Sequence, residues 1–205
     1  GGSATVHFPI WHQEIEDILV LKNNKGTEDN RVRKLDYSIQ LSKLFYERFI
    51  NNEDITLFSP HEVPELYETW GTDEFDDLYL KAERKISVKK TKVNAQELFF
   101  DMLKERAETG RIYIMNIDHC NTHSSFKDRV YMSNLCQEIT LPTDPVQHID
   151  GKGEIALCIL SAINVGTIDK REELENLCDL AVRSLDEIID HQHYPVEAAK
   201  ISTEK

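Results

Sequence analysis

Apolar positions along this chain recur at two different periods. Thr5-Val6-His7-Phe8-Pro9-Ile10 is a short β-branched and aromatic run that predicts a strand. Trp11 leads into Ile15, Ile18 and Leu19 at helical spacing, and Asn23-Asn24-Lys25-Gly26 stops that helix in a polar loop. Tyr37, Leu41, Leu44, Phe45 and Phe49 mark one face of an amphipathic helix. Ile55-Thr56-Leu57-Phe58, closed by Ser59-Pro60, predicts a buried strand. The charged, Tyr-rich stretch 63–93 predicts short surface helices. Leu98, Phe99, Met102, Leu103 and Ala107 define the next helix, with Gly110 as its stop, and a strand follows over 111–117. Ser133 to Leu141 is mixed polar and apolar and ends at Pro142. After a turn at Asp150-Gly151-Lys152-Gly153, the run Ile155-Ala156-Leu157-Cys158-Ile159-Leu160 predicts a strand buried on both faces. Leu174, Leu177, Ala181, Leu185, Ile188 and Ile189 mark a last helix that Pro195 ends. Alternating strands and helices, without repeats, predict an α/β protein with a mostly parallel sheet.

Composition narrows the class. At 205 residues and 40% hydrophobic content, the chain can bury a core without disulfide or metal staples. Its 24 basic and 37 acidic residues give a formal charge of −13, which repels polyanions and argues against broad nucleic-acid binding. A single phosphate held by backbone amides remains compatible with it. No apolar run approaches the roughly 20 residues of a membrane span, and no basic-then-apolar leader is seen. Cys120, Cys136, Cys158 and Cys178 form no close pair and read as cytosolic thiols. The opening Gly1-Gly2-Ser3 without an initiator Met makes a trimmed or split gene product an open reading.

Chemistry is densest at Asn134-Leu135-Cys136-Gln137-Glu138. Ligands of parallel α/β sheets bind at the carboxyl ends of strands, so polar residues there are weighed first. In an extended segment, alternation would point the amide of Asn134, the thiol of Cys136 and the carboxylate of Glu138 the same way. The carboxylate could take a proton from a substrate hydroxyl, the amide could hold a neighbouring hydroxyl, and the thiol could do redox work. Spacing alone favours the plainer reading of a buried cysteine between two solvated polar residues, since Cys is often simply a small core residue. Cys158, in an apolar run, reads as a structural thiol unless a second thiol faces it. Cys178 reads as packing on the core face of the last helix. Asp118-His119-Cys120-Asn121-Thr122-His123 holds zinc-binding residue types but has no second pair at ligand spacing, so a hydrogen-bonded polar turn is the simpler reading. Gly1-Gly2-Ser3-Ala4 could let backbone approach a ligand, yet it lacks the dinucleotide and Walker spacings.

Taken in order, several segments resemble the large (alpha) subunit of class I (aerobic) ribonucleoside-diphosphate reductases, most closely the tailed-phage and enterobacterial branch. They are Gly1-Gly2-Ser3-Ala4-Thr5, Pro9-Ile10-Trp11-His12, Val20-Leu21-Lys22-Asn23-Asn24 and Asp54-Ile55-Thr56-Leu57-Phe58-Ser59-Pro60. Further on they are Glu105-Arg106-Ala107-Glu108-Thr109-Gly110-Arg111-Ile112-Tyr113, Asp118-His119-Cys120-Asn121-Thr122-His123, Ser133-Asn134-Leu135-Cys136-Gln137-Glu138-Ile139 and Gly153-Glu154-Ile155-Ala156-Leu157-Cys158. The resemblance covers residues 1–200 as a partial catalytic barrel domain and leaves 201–205 as a non-matching tail. It implies part of a ten-stranded α/β barrel with a radical-bearing finger loop.

The resemblance also implies roles. Cys136 would become a thiyl radical that abstracts the ribose 3′-hydrogen, Glu138 would take the 3′-hydroxyl proton, and Asn134 would hold the substrate. Cys158 would be half of a redox-active disulfide pair whose second cysteine this chain does not match. Gly1, Gly2, Ser3 and Ala4 would end the loop joining an allosteric specificity site to the substrate base. No metal or cofactor is expected on this chain. The radical would come from a metal-containing small subunit, and ATP or deoxynucleotide effectors would act on the complete enzyme. Implied partners are the remaining large-subunit segments, that small subunit, a ribonucleoside diphosphate and a thioredoxin- or glutaredoxin-type reductant, in the cytoplasm and without nucleic acid or membrane. By itself the chain would be inactive, and a catalytically inactive structural fragment is the alternative.

Overall fold

The computed structural model describes residues 2–148 and 153–205, and the chain divides at Leu141/Pro142 into two compact units. The first unit runs β1 (Thr5–Pro9), α1 (Ile15–Leu19), β2 (Asp36–Leu41), α2 (Lys43–Asn51), β3 (Asp54–Phe58), α3 (Pro64–Thr69), α4 (Phe75–Arg84), β4 (Lys90–Asn94), α5 (Ala95–Thr109), β5 (Ile112–Asn116) and α6 (Ile117–Thr122). Strands β1, β2 and β5 form a parallel sheet in that order, while β3 and β4 pair antiparallel. Phe58 N–H donates to Trp11 O at 2.8 Å and Gln13 N–H to Phe58 O at 2.9 Å, which lays the end of β3 beside the chain leaving β1.

The segment 37–49 corrects the sequence expectation of one helix. Tyr37 and Leu41 lie in β2, and only Leu44 onward belongs to α2. Residues four apart share a face in a strand as well as in a helix, so the 37/41 spacing fitted both periods. The intervening Ile39, fully buried, belongs to the period of two. Ser42 marks the changeover, because its hydroxyl accepts the Phe45 N–H at 3.3 Å and caps α2. Helix α5 is capped by Asn94, whose Oδ1 accepts the Gln96 and Glu97 N–H groups, and it ends on Gly110 at φ 68° as expected.

The sheet buries an apolar face of Tyr37, Ile39, Leu41 and Ile112 in one core with Phe45 of α2 and Leu98 and Met102 of α5. The stretch 63–93 is less superficial than its charge suggests, and it also contributes β4. Leu66, Trp70, Phe75, Tyr79 and Ala82 are buried. Trp70 meets Phe75 with ring centroids 4.5 Å apart, and Tyr79 meets Phe58 edge-on at 5.4 Å. Burial pushes the Tyr79 phenol well above its usual range, and its hydroxyl donates to Thr56 O at 2.7 Å. Arg48 clasps Glu83 through two bonds of 2.6 Å each.

The second unit contains α7 (Arg171–His191) and α8 (Glu197–Glu204), with a short 3-10 turn at Val165–Thr167. Two sequence expectations are corrected here. Residues 153–164 form no strand: a ladder needs a neighbouring strand, and none pairs with this run among the described residues. Leu157 and Cys158 are exposed. Helix α7 forms where its period predicts but buries none of its residues, so Cys178 is exposed and not packed in a core. Helix α8 runs through the boundary placed after residue 200.

Candidate active site

The parallel sheet carries polar side chains on the face opposite its apolar one. In parallel register His7, Ser38 and Tyr113 stand level, as do Pro9, Gln40 and Met115. Ser38 is fully buried and Gln40 is 3% exposed, so both need partners inside the protein. The segment 131–139 supplies them. Gln40 Nε2 donates to Tyr131 O at 2.7 Å, His7 Nε2 to Ser133 O at 3.2 Å and Thr5 Oγ1 to Leu135 O at 2.6 Å. Gln137 reaches back to the sheet, with Ser38 donating to its Oε1 and its Nε2 donating to Ile114 O at 2.7 Å.

This anchoring corrects the expected extended geometry of 134–138. The Gln137 N–H donates to Asn134 O at 3.2 Å and closes a tight turn over 134–137, with Gln137 at φ 60°. Cys136 and Glu138 are exposed and Asn134 is half-buried. Alternation therefore does not align the three, because a turn reverses the chain between them. Leu135 is fastened to Thr5, the first residue of β1, so the turn sits at the amino end of that strand and not at a carboxyl end. Asn134 Oδ1 accepts the Ile139 N–H at 3.1 Å and a bond from the Ser133 hydroxyl, which keeps the turn closed. Its Nδ2 makes no hydrogen bond among the described residues and can donate to a ligand. Burial holds the His7 imidazole below its ordinary value against the opposing bond to Ser133 O.

The sequence that builds this sheet and loop matches a known family. Residues 1–205 match the family model for the ribonucleotide reductase barrel domain. The chain belongs to the ribonucleotide reductase barrel-domain family. It is 57% identical over 209 residues to the ribonucleoside-diphosphate reductase subunit alpha of Haemophilus influenzae, covering 99% of this chain and 28% of that protein. It is 45% identical over 208 residues to the subunit alpha of Enterobacteria phage T4, covering 98% and 27% respectively. With the ribonucleoside-diphosphate reductase 1 subunit alpha of Escherichia coli it shares 56% identity over 151 residues, 71% of this chain and 20% of that protein. The chain thus spans just over a quarter of the length of the first two relatives.

Cys158 lies in the irregular run of the second unit, and Gly1 and residues 149–152 lie outside the described residues. Gly2 has open space around its α-carbon. Ser3 lines a cleft of about 460 Å³ with Lys22, Arg33, Arg111 and Asp36. Of the cations lining it, Lys22 pairs with Asp36, Arg33 pairs with Glu28, and Arg111 stands 4.0 Å from Asp36. His119 and His123 meet edge-on at 5.2 Å on one side of α6. No group of three His, Cys, Asp or Glu residues that could hold a metal occurs among the described residues.

Sequence reasoning missed Thr5, His7, Ser38, Gln40 and Gln137. The signal was available: in Asp36-Tyr37-Ser38-Ile39-Gln40-Leu41 polar and apolar residues alternate strictly, and Thr5-Val6-His7-Phe8 repeats the alternation. Such a strand has one polar face, which is either wet or covered by backbone that it must hydrogen-bond.

Proposed function

We propose that this chain carries the radical-bearing loop and part of the catalytic barrel of a ribonucleoside-diphosphate reductase. The observation that carries the reading is the turn at 134–137, which presents Cys136 exposed at its tip while alternate residues of the loop are tied to a rigid sheet. A thiyl sulfur at Cys136 takes the 3′-hydrogen of a bound ribonucleotide, forming an S–H bond and leaving a carbon radical. Glu138 accepts the 3′-hydroxyl proton, and Asn134, through Nδ2, holds the substrate. The 2′-hydroxyl then leaves as water, two electrons and two protons come from Cys158 and a second thiol supplied by another segment, which together become a disulfide, and the Cys136 S–H returns its hydrogen to the 3′-carbon and so restores the thiyl radical. The radical itself is delivered by a separate metal-containing subunit, a thioredoxin- or glutaredoxin-type donor reduces the disulfide, and nucleotide effectors act through the loop ending at Gly2, Ser3 and Ala4.

The test uses the complete enzyme, assembled with the missing segments and the radical-generating subunit. Cys136→Ser abolishes turnover and leaves substrate binding intact, because an O–H bond is too strong to form and break reversibly in the relay. Cys158→Ser still consumes substrate but yields damaged nucleotide in place of product. More than a few per cent of turnover in Cys136→Ser overturns the reading.

A further inference from the structure

We propose that Thr5, His7 and Gln40 are positioning residues that set the height of the Cys136 loop by gripping alternate carbonyls from one face of the sheet. The inference rests on the reading of Cys136 as the reacting thiol only for its consequence in catalysis; the grip itself is independent of it.

The argument is one of register. Thr5 and His7 are two apart on β1, and Gln40 stands level with Pro9, two residues further along. The carbonyls they hold belong to Leu135, Ser133 and Tyr131, two apart and in the reverse order. The loop limb therefore runs antiparallel to the strands over their polar face, joined to them by side chains where a sheet neighbour would use backbone. Two residues of strand rise about 6.6 Å, and an extended limb matches that repeat. Carbonyls of an extended chain alternate in direction, so a slip of one residue turns the gripped oxygens away from their donors. A slip of two would displace Cys136 by about 6.6 Å along the sheet. The three contacts exclude the first, and the Gln137 side chain, held by Ser38 and by Ile114 O, excludes the second.

His7 is the informative member. A carbonyl can only accept, so Nε2 carries the proton and Nδ1 is left as a buried atom without a partner among the described residues. A phenylalanine would fill the space without that loss, so the orphaned nitrogen is tolerated for the bond the other nitrogen makes. Lowering of the imidazole's proton affinity by burial keeps the ring neutral, consistent with this tautomer. Gln40 is tied as well to Trp70, at 2.8 Å, and its replacement would disturb the core; Thr5 and His7 have no such second bond.

The test is amide hydrogen exchange on this chain at Gln137 and Ile139, whose N–H groups both bond to Asn134, with Ile39 and Leu41 of β2 as internal controls. Thr5→Val and His7→Phe should each speed exchange at 137 and 139 by about threefold to tenfold, the yield of one lost hydrogen bond, and should leave 39 and 41 unchanged. His7→Gln, which keeps a donor where Nε2 stood, should bring the loop back to within about twofold of the original rate. Unchanged loop exchange in the Thr5→Val/His7→Phe double variant overturns the proposal. So does equal acceleration at 39 and 41, or failure of His7→Gln to restore protection. Turnover of Cys136→Ser reports the radical assignment separately, and exchange does not depend on it.

Discussion

Helices α5 and α7 were equally legible as amphipathic, yet they end in different circumstances. Helix α5 places Leu98 and Met102 against the parallel sheet, where both are buried. Helix α7 is six residues longer, 21 against 15, and buries none of its residues. The strands divide the same way. The alternating run 36–41 lies between two neighbours, whereas the continuous apolar run 155–160 pairs with none among the described residues. Periodicity states which face an element can bury, and structure follows only where a partner covers that face.

The largest contrast between the two units is in their response to truncation. Met102→Ala should lower stability by about 2–5 kcal/mol, because it empties a fully buried site. Leu180→Ala on α7, where the side chain is 61% exposed, should change it by less than about 0.5 kcal/mol, and Cys178→Ser likewise. Urea denaturation followed by far-ultraviolet circular dichroism, to which helices of both units contribute, measures both. Equal losses would erase the distinction between the units.

Next in size is the ion pair of the first unit. The side chains of Arg48 and Glu83 are 12% and 16% exposed. Glu83→Ala should cost about 3 kcal/mol by leaving a mostly buried guanidinium without its carboxylate. Burial raises the proton affinity of Glu83, but the bonds from Arg48 and Thr56 outweigh it and hold the carboxyl below its ordinary value. Its folded value is thus the lower one. Its contribution is full above the unfolded carboxylate range and is lost as pH falls through the folded value. A urea midpoint indifferent to acid in that range would contradict the assignment.

The smallest effect concerns the histidines that frame β1. His7 and His12 are both held below the ordinary value, by burial above all, with a Ser133 bond opposing in one case and Glu14 in the other. A histidine lowered in the folded state binds fewer protons there than when unfolded. Stability of the first unit should therefore be level above about pH 6.5 and fall as pH drops below it. His7→Phe should flatten part of that slope in urea titrations at pH 7.5 and 5.5. A slope of the opposite sign would break this account of the sheet's polar face.

How much was legible follows from the same contrast. Strands β1, β3 and β5 stood out as short β-branched, aromatic or apolar runs between turn signals, and helices α1, α5 and α7 by their three-to-four-residue period. Strand β2 was read as helix because Tyr37 and Leu41 satisfy both periods, and the polar residues between them decided the matter. The loop residues Asn134, Cys136 and Glu138 were singled out by residue type and by family resemblance, but the turn that holds them was not legible. A turn with Gln137 at φ 60° is not announced by a Gln, and it is imposed by the bonds from Ser38 to its side chain and from that side chain to Ile114. Residues 155–160 were misread because an apolar run specifies burial without naming the strand that would provide it.

The central claim is that the sulfur of Cys136 removes the 3′-hydrogen of a ribonucleotide. In the complete enzyme, a ribonucleoside diphosphate carrying deuterium at the 3′-carbon should turn over more slowly than the ordinary substrate. With Cys136→Ser, no deuterium should leave that carbon at all. Equal rates for the two substrates, together with deuterium loss that persists in Cys136→Ser, would contradict it.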